Sequence, residues 1–377
     1  MSKDNTQTQT QTQTKTAYEG VSNLQIQQLF KVMVDSGASD LHLTVGSAPA
    51  MRVSGDIVRV KVGALTPDDT KRLIYQILTE KQKAELEKNL ELDFSFGIKG
   101  LARFRANVFY SKSSVAAVFR LIPSLIPDYE ALSLPPVLLE MVNVSSGLFL
   151  VTGPTGSGKS TTLASIIDKL NANTSSHIIT LEDPIEFVHQ HKMSLINQRE
   201  VGVDTYSFSK GIKSLLRQDP DIVLIGELRD PETIEAALTI AETGHVVFGT
   251  LHTNSTVQTI NRIINVFPAD QQEQIRTLLS FVLQGVIAQQ LLPKVPKGRC
   301  MVQEILRITP AIRNLIREDK IHQVYSQMQI GQEETGMNTM NQHIKKQLDA
   351  GVITTETAMT FSNNPEELAR MLGIQKK

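Results

Sequence analysis

Gly153-Pro154-Thr155-Gly156-Ser157-Gly158-Lys159-Ser160, followed by Thr161, is the stretch whose residue types and spacing do chemistry, since it fits G-x-x-x-x-G-K-[ST]. Glycines let backbone N–H groups turn inward around phosphate oxygens, and a helix starting at Lys159 adds the partial positive charge of its N-terminus. In that arrangement Lys159 reaches the β- and γ-phosphates and the Ser160 hydroxyl is offered to Mg²⁺. A glycine-rich turn without a ligand is the plain alternative. The context weighs against it, because the apolar run Leu148-Phe149-Leu150-Val151 reads as a buried strand before the turn and Leu163-Ala164-Ser165-Ile166-Ile167 as a helix after it.

Three further apolar runs end in polar residues. His177 to Leu181 is followed by Glu182-Asp183-Pro184, Asp221 to Gly226 by Glu227, and His245 to Leu251 by His252-Thr253. Open α/β sheets bind ligands at the carboxyl ends of their strands, so these residues are the partners expected at the phosphate site. Glu227 is the first choice for the base that orients an attacking water. Many phosphate-transfer sites hold the metal through an Asp before that Glu; here the position is Gly226, so Mg²⁺ is left to Ser160, phosphate and water, or to Glu182 and Asp183. His245 and His252 flank one strand and stand about 23 Å apart at about 3.3 Å per residue. His252 falls at the ligand end, as a phosphate sensor; His245 serves the opposite end, a subunit contact or plain structure. Arg217 and Arg229 are the arginines of this region, while Arg103 and Arg105, two apart on an upstream strand, share one face, either solvated or turned toward a neighbour's nucleotide.

The elements that must position these groups divide the chain. Residues 1–20 form a polar leader with a Thr/Gln alternation and no apolar face to bury, expected to be disordered. Residues 21–121 read as an α+β domain: a helix around Leu29, a strand over Ser39 to Val45, a hairpin about Gly55, helices opened by Thr66-Pro67 and Thr79-Glu80, then three consecutive strands. Pro123 and Pro127 place a stiff linker at 122–128. Residues 129–377 then alternate strands and helices, which calls for a mostly parallel sheet covered on both faces, with a helical C-terminal part from about 304.

Composition sets limits. The 377 residues carry 38 Lys+Arg against 39 Asp+Glu, so no global basic field argues for nucleic acid. One cysteine, Cys300, excludes a disulfide framework and a tetracysteine zinc module. The N-terminus shows no secretory pattern, and the apolar run from Leu278 to Leu292 is interrupted by Ser280, Gln284, Gln289 and Gln290, so a soluble cytoplasmic protein is expected that meets membrane only through partners.

Taken in order, Gly153 to Ser160, Ile179-Thr180-Leu181-Glu182-Asp183-Pro184, Arg217 to Asp230 and Gly244 to Asn254 resemble the Walker A, Asp, Walker B and His boxes of the secretion ATPase superfamily. Ala311-Ile312-Arg313-Asn314-Leu315-Ile316-Arg317-Glu318 looks like the signature of its type IV pilus retraction branch. The resemblance implies a PAS-like first domain, a RecA-like P-loop ATPase domain, ATP and Mg²⁺ as ligands, and a homohexamer docked on an inner-membrane platform protein of the pilus machine. It also implies that Arg103, Arg105 and Arg120 act on a neighbour's nucleotide. Within Ala311 to Glu318, Ile312, Leu315 and Ile316 make one apolar face and Arg313 and Arg317 an i, i+4 pair on another, expected to be exposed and to couple hydrolysis to movement. The rival readings are an accessory retraction or other secretion-type ATPase and, less favoured by the charge balance, a nucleic-acid motor.

Overall fold

The computed structural model describes residues 21–53, 55–123 and 125–374, so the Thr/Gln leader lies outside the described residues. The chain forms two compact units, one ending at Ile122 and the other beginning at Pro123.

The first unit is a six-stranded antiparallel sheet in the order β3-β2-β1-β6-β5-β4, with β1 Asp40–Leu43, β2 Ala50–Val53, β3 Asp56–Arg59, β4 Glu91–Ile98, β5 Ala102–Ser111 and β6 Ser114–Ile122. Helices α1 Ile26–Asp35, α2 Pro67–Tyr75 and α3 Glu80–Asn89 complete it. Ile26, Leu29, Phe30 and Met33 recur at helical spacing and give α1 one buried face. The Phe30 ring meets Phe104 at 4.5 Å and Phe119 edge-on at 5.1 Å, the tilted contacts that ring quadrupoles favour. Thr66 and Asp69 exchange hydrogen bonds as a capping box with Pro67 in the first turn of α2, and Thr79 and Gln82 repeat the device at α3.

Strand pairing puts the polar residues of this sheet on the face away from Phe104 and Phe119. Arg52 lies opposite Asp40, Asp40 opposite Arg120, and Arg120 opposite Arg105. Arg103, two residues from Arg105, shares their face. Asp40 is the buried acid of the row, and Arg120 Nε donates to its Oδ1 at 2.8 Å.

The second unit is built on a seven-stranded sheet in the order β13-β12-β7-β11-β10-β8-β9. The strands are β7 Gly147–Thr152, β8 His177–Glu182, β9 Leu195–Glu200, β10 Ile222–Ile225, β11 Val246–Leu251, β12 Leu283–Pro293 and β13 Arg299–Arg307. All pairings are parallel except β12 with β13. The central strands β7, β10 and β11 are buried along their whole length, as strands covered on both faces must be. The covering helices are α4 Val137–Val142, α5 Lys159–Asn173, α6 Phe208–Leu215, α7 Pro231–Glu242, α8 Thr256–Asn265, α9 Gln272–Val282, α10 Pro310–Arg317, α11 Val324–Gln327, α12 Gln332–Thr335, α13 Met340–Asp349, α14 Thr355–Phe361 and α15 Pro365–Met371.

Two expectations change here. The run from Leu278 to Leu292 is helix to Val282 and strand from Leu283 with no turn between, and Glu304 lies inside β13, so the C-terminal helices start at Pro310 and not near 304. No helix among the described residues is long and apolar enough to cross a membrane. In α10, Ile312 and Ile316 are buried and Leu315 is half-buried, as the spacing requires. Arg313 is the correction: its Nη1 donates to the carbonyls of Ser280 at 2.5 Å and Phe281 at 2.6 Å, satisfying orphan acceptors where α9 ends. Arg317 alone of the pair is exposed, bonded only along its own helix to Asn314 Oδ1 among the contacts resolved for it.

Candidate nucleotide site

The turn from Gly153 to Gly158 joins the end of β7 to the first residue of α5. Gly153, Gly156 and Gly158 all have positive φ. At Gly153 the need is also spatial: a Cβ there would stand 2.3 Å from the Gln289 carbonyl oxygen of β12 and 2.6 Å from Ser157 Oγ. From its side chain, Gln289 Nε2 donates to the Ser157 carbonyl at 2.8 Å. The cradle is therefore shaped from below by a residue of another strand. Pro154 and Thr155 are exposed at its tip, and Ser160 is exposed in the first turn of α5, with Thr161 half-buried beside it. Lys159 Nζ donates to the carbonyls of Gly153 at 2.7 Å and Pro154 at 3.3 Å, so the ammonium is folded over the turn. Burial pulls its pKa below the ordinary lysine value, opposed by the Glu227 charge.

Because β7, β11, β10 and β8 are adjacent and parallel, their carboxyl ends form one rim. Thr250 Oγ1 donates to the Gly226 carbonyl at 2.5 Å and Leu228 N to the Thr250 carbonyl at 2.9 Å, locking the segment after β10 to β11. Glu227 stands there with His252 Nε2 at 3.3 Å from its Oε1. Arg229 grips the same carboxylate with two nitrogens, Nε at 2.6 Å from Oε1 and Nη2 at 2.7 Å from Oε2. Burial opposes ionisation of Glu227, but the Arg229 fork and the His252 ring outweigh it and hold the carboxyl below its usual range. Sequence reasoning offered Arg229 for phosphate; the structure pairs it with Glu227, and the spacing of two residues was the only signal.

Gly226 now has a reason. A Cβ there would lie 3.1 Å from the Leu181 carbonyl oxygen and 3.2 Å from Glu182 Cα, so β8 leaves little room for the aspartate that other phosphate-transfer sites carry.

Glu182 is not brought into the group with Glu227 and His252. It is buried, its Oε1 accepting from Thr180 Oγ1 at 2.7 Å and Gln198 Nε2 at 3.2 Å, and burial pushes its pKa up. Asp183, next to it, is exposed, and its charge reaches Arg229. His245 is held at the far end of its strand, its Nδ1 3.0 Å from the Ile240 carbonyl and 3.2 Å from Thr243 Oγ1, away from the phosphate turn. Arg103, Arg105 and Arg120 belong to the first unit, and there they gather on the one sheet face described above.

A cavity of about 810 Å³ opens beside the cradle. Gly158, Thr161 and Thr162 form one side, Lys294, Arg299 and His343 another, and no Asp or Glu lines it. Its size and its position beside the turn suit the base and ribose of a nucleotide whose phosphates occupy the turn. For the metal, no group of three or more His, Cys, Asp or Glu able to hold an ion occurs among the described residues. The oxygen that the turn does offer is the exposed Ser160 hydroxyl in the first turn of α5, the kind of single ligand that an ion keeping most of its waters would take.

Comparison with known proteins follows this geometry. The Type II/IV secretion system protein family matches residues 16–297. The Pseudomonas aeruginosa protein named type IV pilus retraction ATPase PilT is 49% identical over 343 residues, 91% of this chain and 99% of that protein. A Neisseria gonorrhoeae twitching motility protein is 47% identical over 322 residues, 85% of this chain and 86% of its own length. A crystal structure of the pilus retraction motor PilT with bound ADP superposes with a TM-score of 0.88 at 53% identity, covering 93% of this chain and 100% of that one. With the cradle, the rim acids and the sheet order all in place, the chain belongs to the Type II/IV secretion system protein family.

Proposed function

We propose that this chain is an ATP-hydrolysing motor that retracts type IV pili, working as a homohexamer in the cytoplasm and docked at the inner-membrane base of the pilus machine through a platform protein. The observation that carries the reading is the meeting of a phosphate cradle with the Glu227 and His252 pair on one sheet rim. ATP lays its phosphates along Gly153 to Thr161 and its base and ribose in the adjoining cavity. Lys159 turns from the Gly153 carbonyl to the β- and γ-phosphates, and the Ser160 hydroxyl would help to hold Mg²⁺, which when bound would supply charge neutralisation of the phosphate oxygens. Glu227 accepts the proton of the attacking water once Arg229 releases it, and His252 senses the γ-phosphate beside it. Glu182 supports the rim from within, through Thr180 and Gln198.

An ATPase assay of the purified chain, with and without DNA, and sizing with ATP test this reading. The expected result is Mg²⁺-dependent hydrolysis indifferent to DNA by a species of six chains. DNA-stimulated hydrolysis with steep salt dependence would replace the reading with a nucleic-acid motor.

Arg103, Arg105 and Arg120 complete the site of a neighbouring copy. Mixing an Arg105→Ala chain with a Lys159→Ala chain is therefore expected to restore part of the lost rate, because some interfaces combine an intact cradle with intact arginines. Mixed hexamers with no recovery would remove the arginines from catalysis.

The Arg317 side chain, exposed on α10, is assigned to the contact that turns hydrolysis into movement. Arg317→Ala is expected to leave the ATPase rate within about twofold and assembly intact while surface motility is lost; surface substitutions away from special contacts change stability by only about 0.5 kcal/mol. Arg313→Ala is the wrong test, because it strips the cap from α9. Normal motility of the Arg317→Ala chain would return α10 to plain architecture.

A further inference from the structure

Glu304 is a carboxylate in the interior. It sits on β13 with 1% exposure, far from any surface role. Its Oε1 accepts both the backbone N–H and the Oγ1 of Thr256, each at 2.7 Å, and its Oε2 accepts the N–H of Met340 at 3.3 Å. Thr256 opens α8 and Met340 opens α13. One buried carboxyl thus serves two helix N-termini, giving an acceptor to N–H groups that have no partner within their own helices, while burial pushes its pKa up.

What it anchors is the four-residue segment His252 to Ser255 that carries the chain from β11 to α8. Beyond the capping bonds that tie Asn254 and Ser255 to the first turn of α8, this segment has longer-range restraints. Thr253 Oγ1 lies 2.7 Å from Thr259 Oγ1, which is 3.4 Å from Thr152 Oγ1 at the end of β7, the strand that feeds the phosphate turn. The Asn254 carbonyl accepts from Asn363 Nδ2 at 2.9 Å, and Asn363, between α14 and α15, is itself 3.3 Å from Gln290 Nε2 of β12. The C-terminal helices therefore hold the segment at Asn254 and, through Glu304, at Thr256. His252 stands at its other end against Glu227.

We propose that Glu304 is a positioning residue for hydrolysis that acts through His252: by fixing the start of α8 against the start of α13, it sets where the His252 ring meets Glu227. The proposal rests on the nucleotide-site reading above. It makes the α13 to α15 layer a reader of nucleotide state, because any shift of His252 pulls on Asn254 and Thr256, and by reciprocity a load on those helices alters binding at the site.

The test is a mutant cycle on the full chain with Mg²⁺ and ATP, measuring kcat and KM for wild type, Glu304→Gln, His252→Ala and the double variant. Glu304→Gln keeps the shape but sets an amide N–H against one of its two backbone donors. The expected result is a kcat lower by about tenfold to 10²-fold with KM nearly unchanged, the size of effect that displacing a reacting group produces. The double variant is expected to be no slower than His252→Ala alone, because both losses run through one ring. Multiplied losses, or an unchanged kcat, would overturn the proposal. If Glu304→Gln does not fold, Thr256→Val removes the hydroxyl half of the anchor while leaving its N–H, and the same cycle is read with it. A wild-type chain without turnover would defeat the nucleotide-site reading and this proposal together, whereas wild-type turnover with multiplied losses defeats the positioning role alone.

Discussion

Glu227→Gln is expected to bind ATP as tightly as the parent chain and to lose hydrolysis by about 10²- to 10⁴-fold, the range that removal of a general base costs. The substitution keeps the shape of a side chain that touches both Arg229 and His252, so the rim keeps its packing. What goes is the acceptor for the water proton. The loss should fall on kcat, because the interaction removed is made in the transition state. Single-turnover hydrolysis and retention of bound nucleotide on a sizing column measure the two halves of the claim. Hydrolysis at the parent rate would remove Glu227 from the mechanism.

Lys159→Ala is expected to fail one step earlier. The ammonium is half-buried over the turn, bonded to the carbonyls of Gly153 and Pro154, and burial pulls its pKa below the ordinary lysine value. Moving from two neutral carbonyls to phosphate oxygens replaces hydrogen bonds charged on one side with ones charged on both, and a hydrogen bond to a charged group is worth about 1.5–3 kcal/mol. Loss of that contact predicts ATP binding weaker by about 10- to 10²-fold, with hydrolysis falling further because charge builds on the same oxygens in the transition state. Titration with a fluorescent ATP analogue checks the binding. Unchanged affinity would show that the backbone N–H groups and the helix N-terminus hold the phosphates without Lys159.

The residues behind these two predictions are legible in the sequence, because the motif and the apolar runs are local. Gly153 to Ser160 is contiguous, and β7, β8, β10 and β11 each carry their polar residue at the end of a buried run. Less local features were hidden. Strand β9 is an edge strand in which Leu195-Ile196-Asn197-Gln198-Arg199-Glu200 buries only Ile196 and Glu200, so its sequence lacks the apolar signature. The change from α9 to β12 falls between Val282 and Leu283 inside an apolar run, with Gly285 already two residues into the strand. Arg313 reads as half of an exposed i, i+4 pair, yet it reaches carbonyls some thirty positions upstream, which no periodicity can show. Glu304 was invisible for the same reason: its partners are 48 and 36 residues away in opposite directions. Gly226 was legible as a departure, but its cause, the backbone of β8, was not.

The seat of Gln289 beneath the phosphate turn ties completion of the turn to a later stretch of the chain's own synthesis. The turn is contiguous in sequence, but its floor is a carbonyl and an amide supplied from 132 residues downstream. At about 5–20 residues per second, a ribosome takes on the order of ten seconds to reach that residue after Ser157 has been joined. For that interval the nascent chain carries the whole motif without its support, and the parallel pairing of β7 with β12 is the kind of long-range contact that forms late. Completion of the cradle thereby waits until most of the second unit has been made, and a chain broken off before β12 would hold every residue of the motif and no finished cradle.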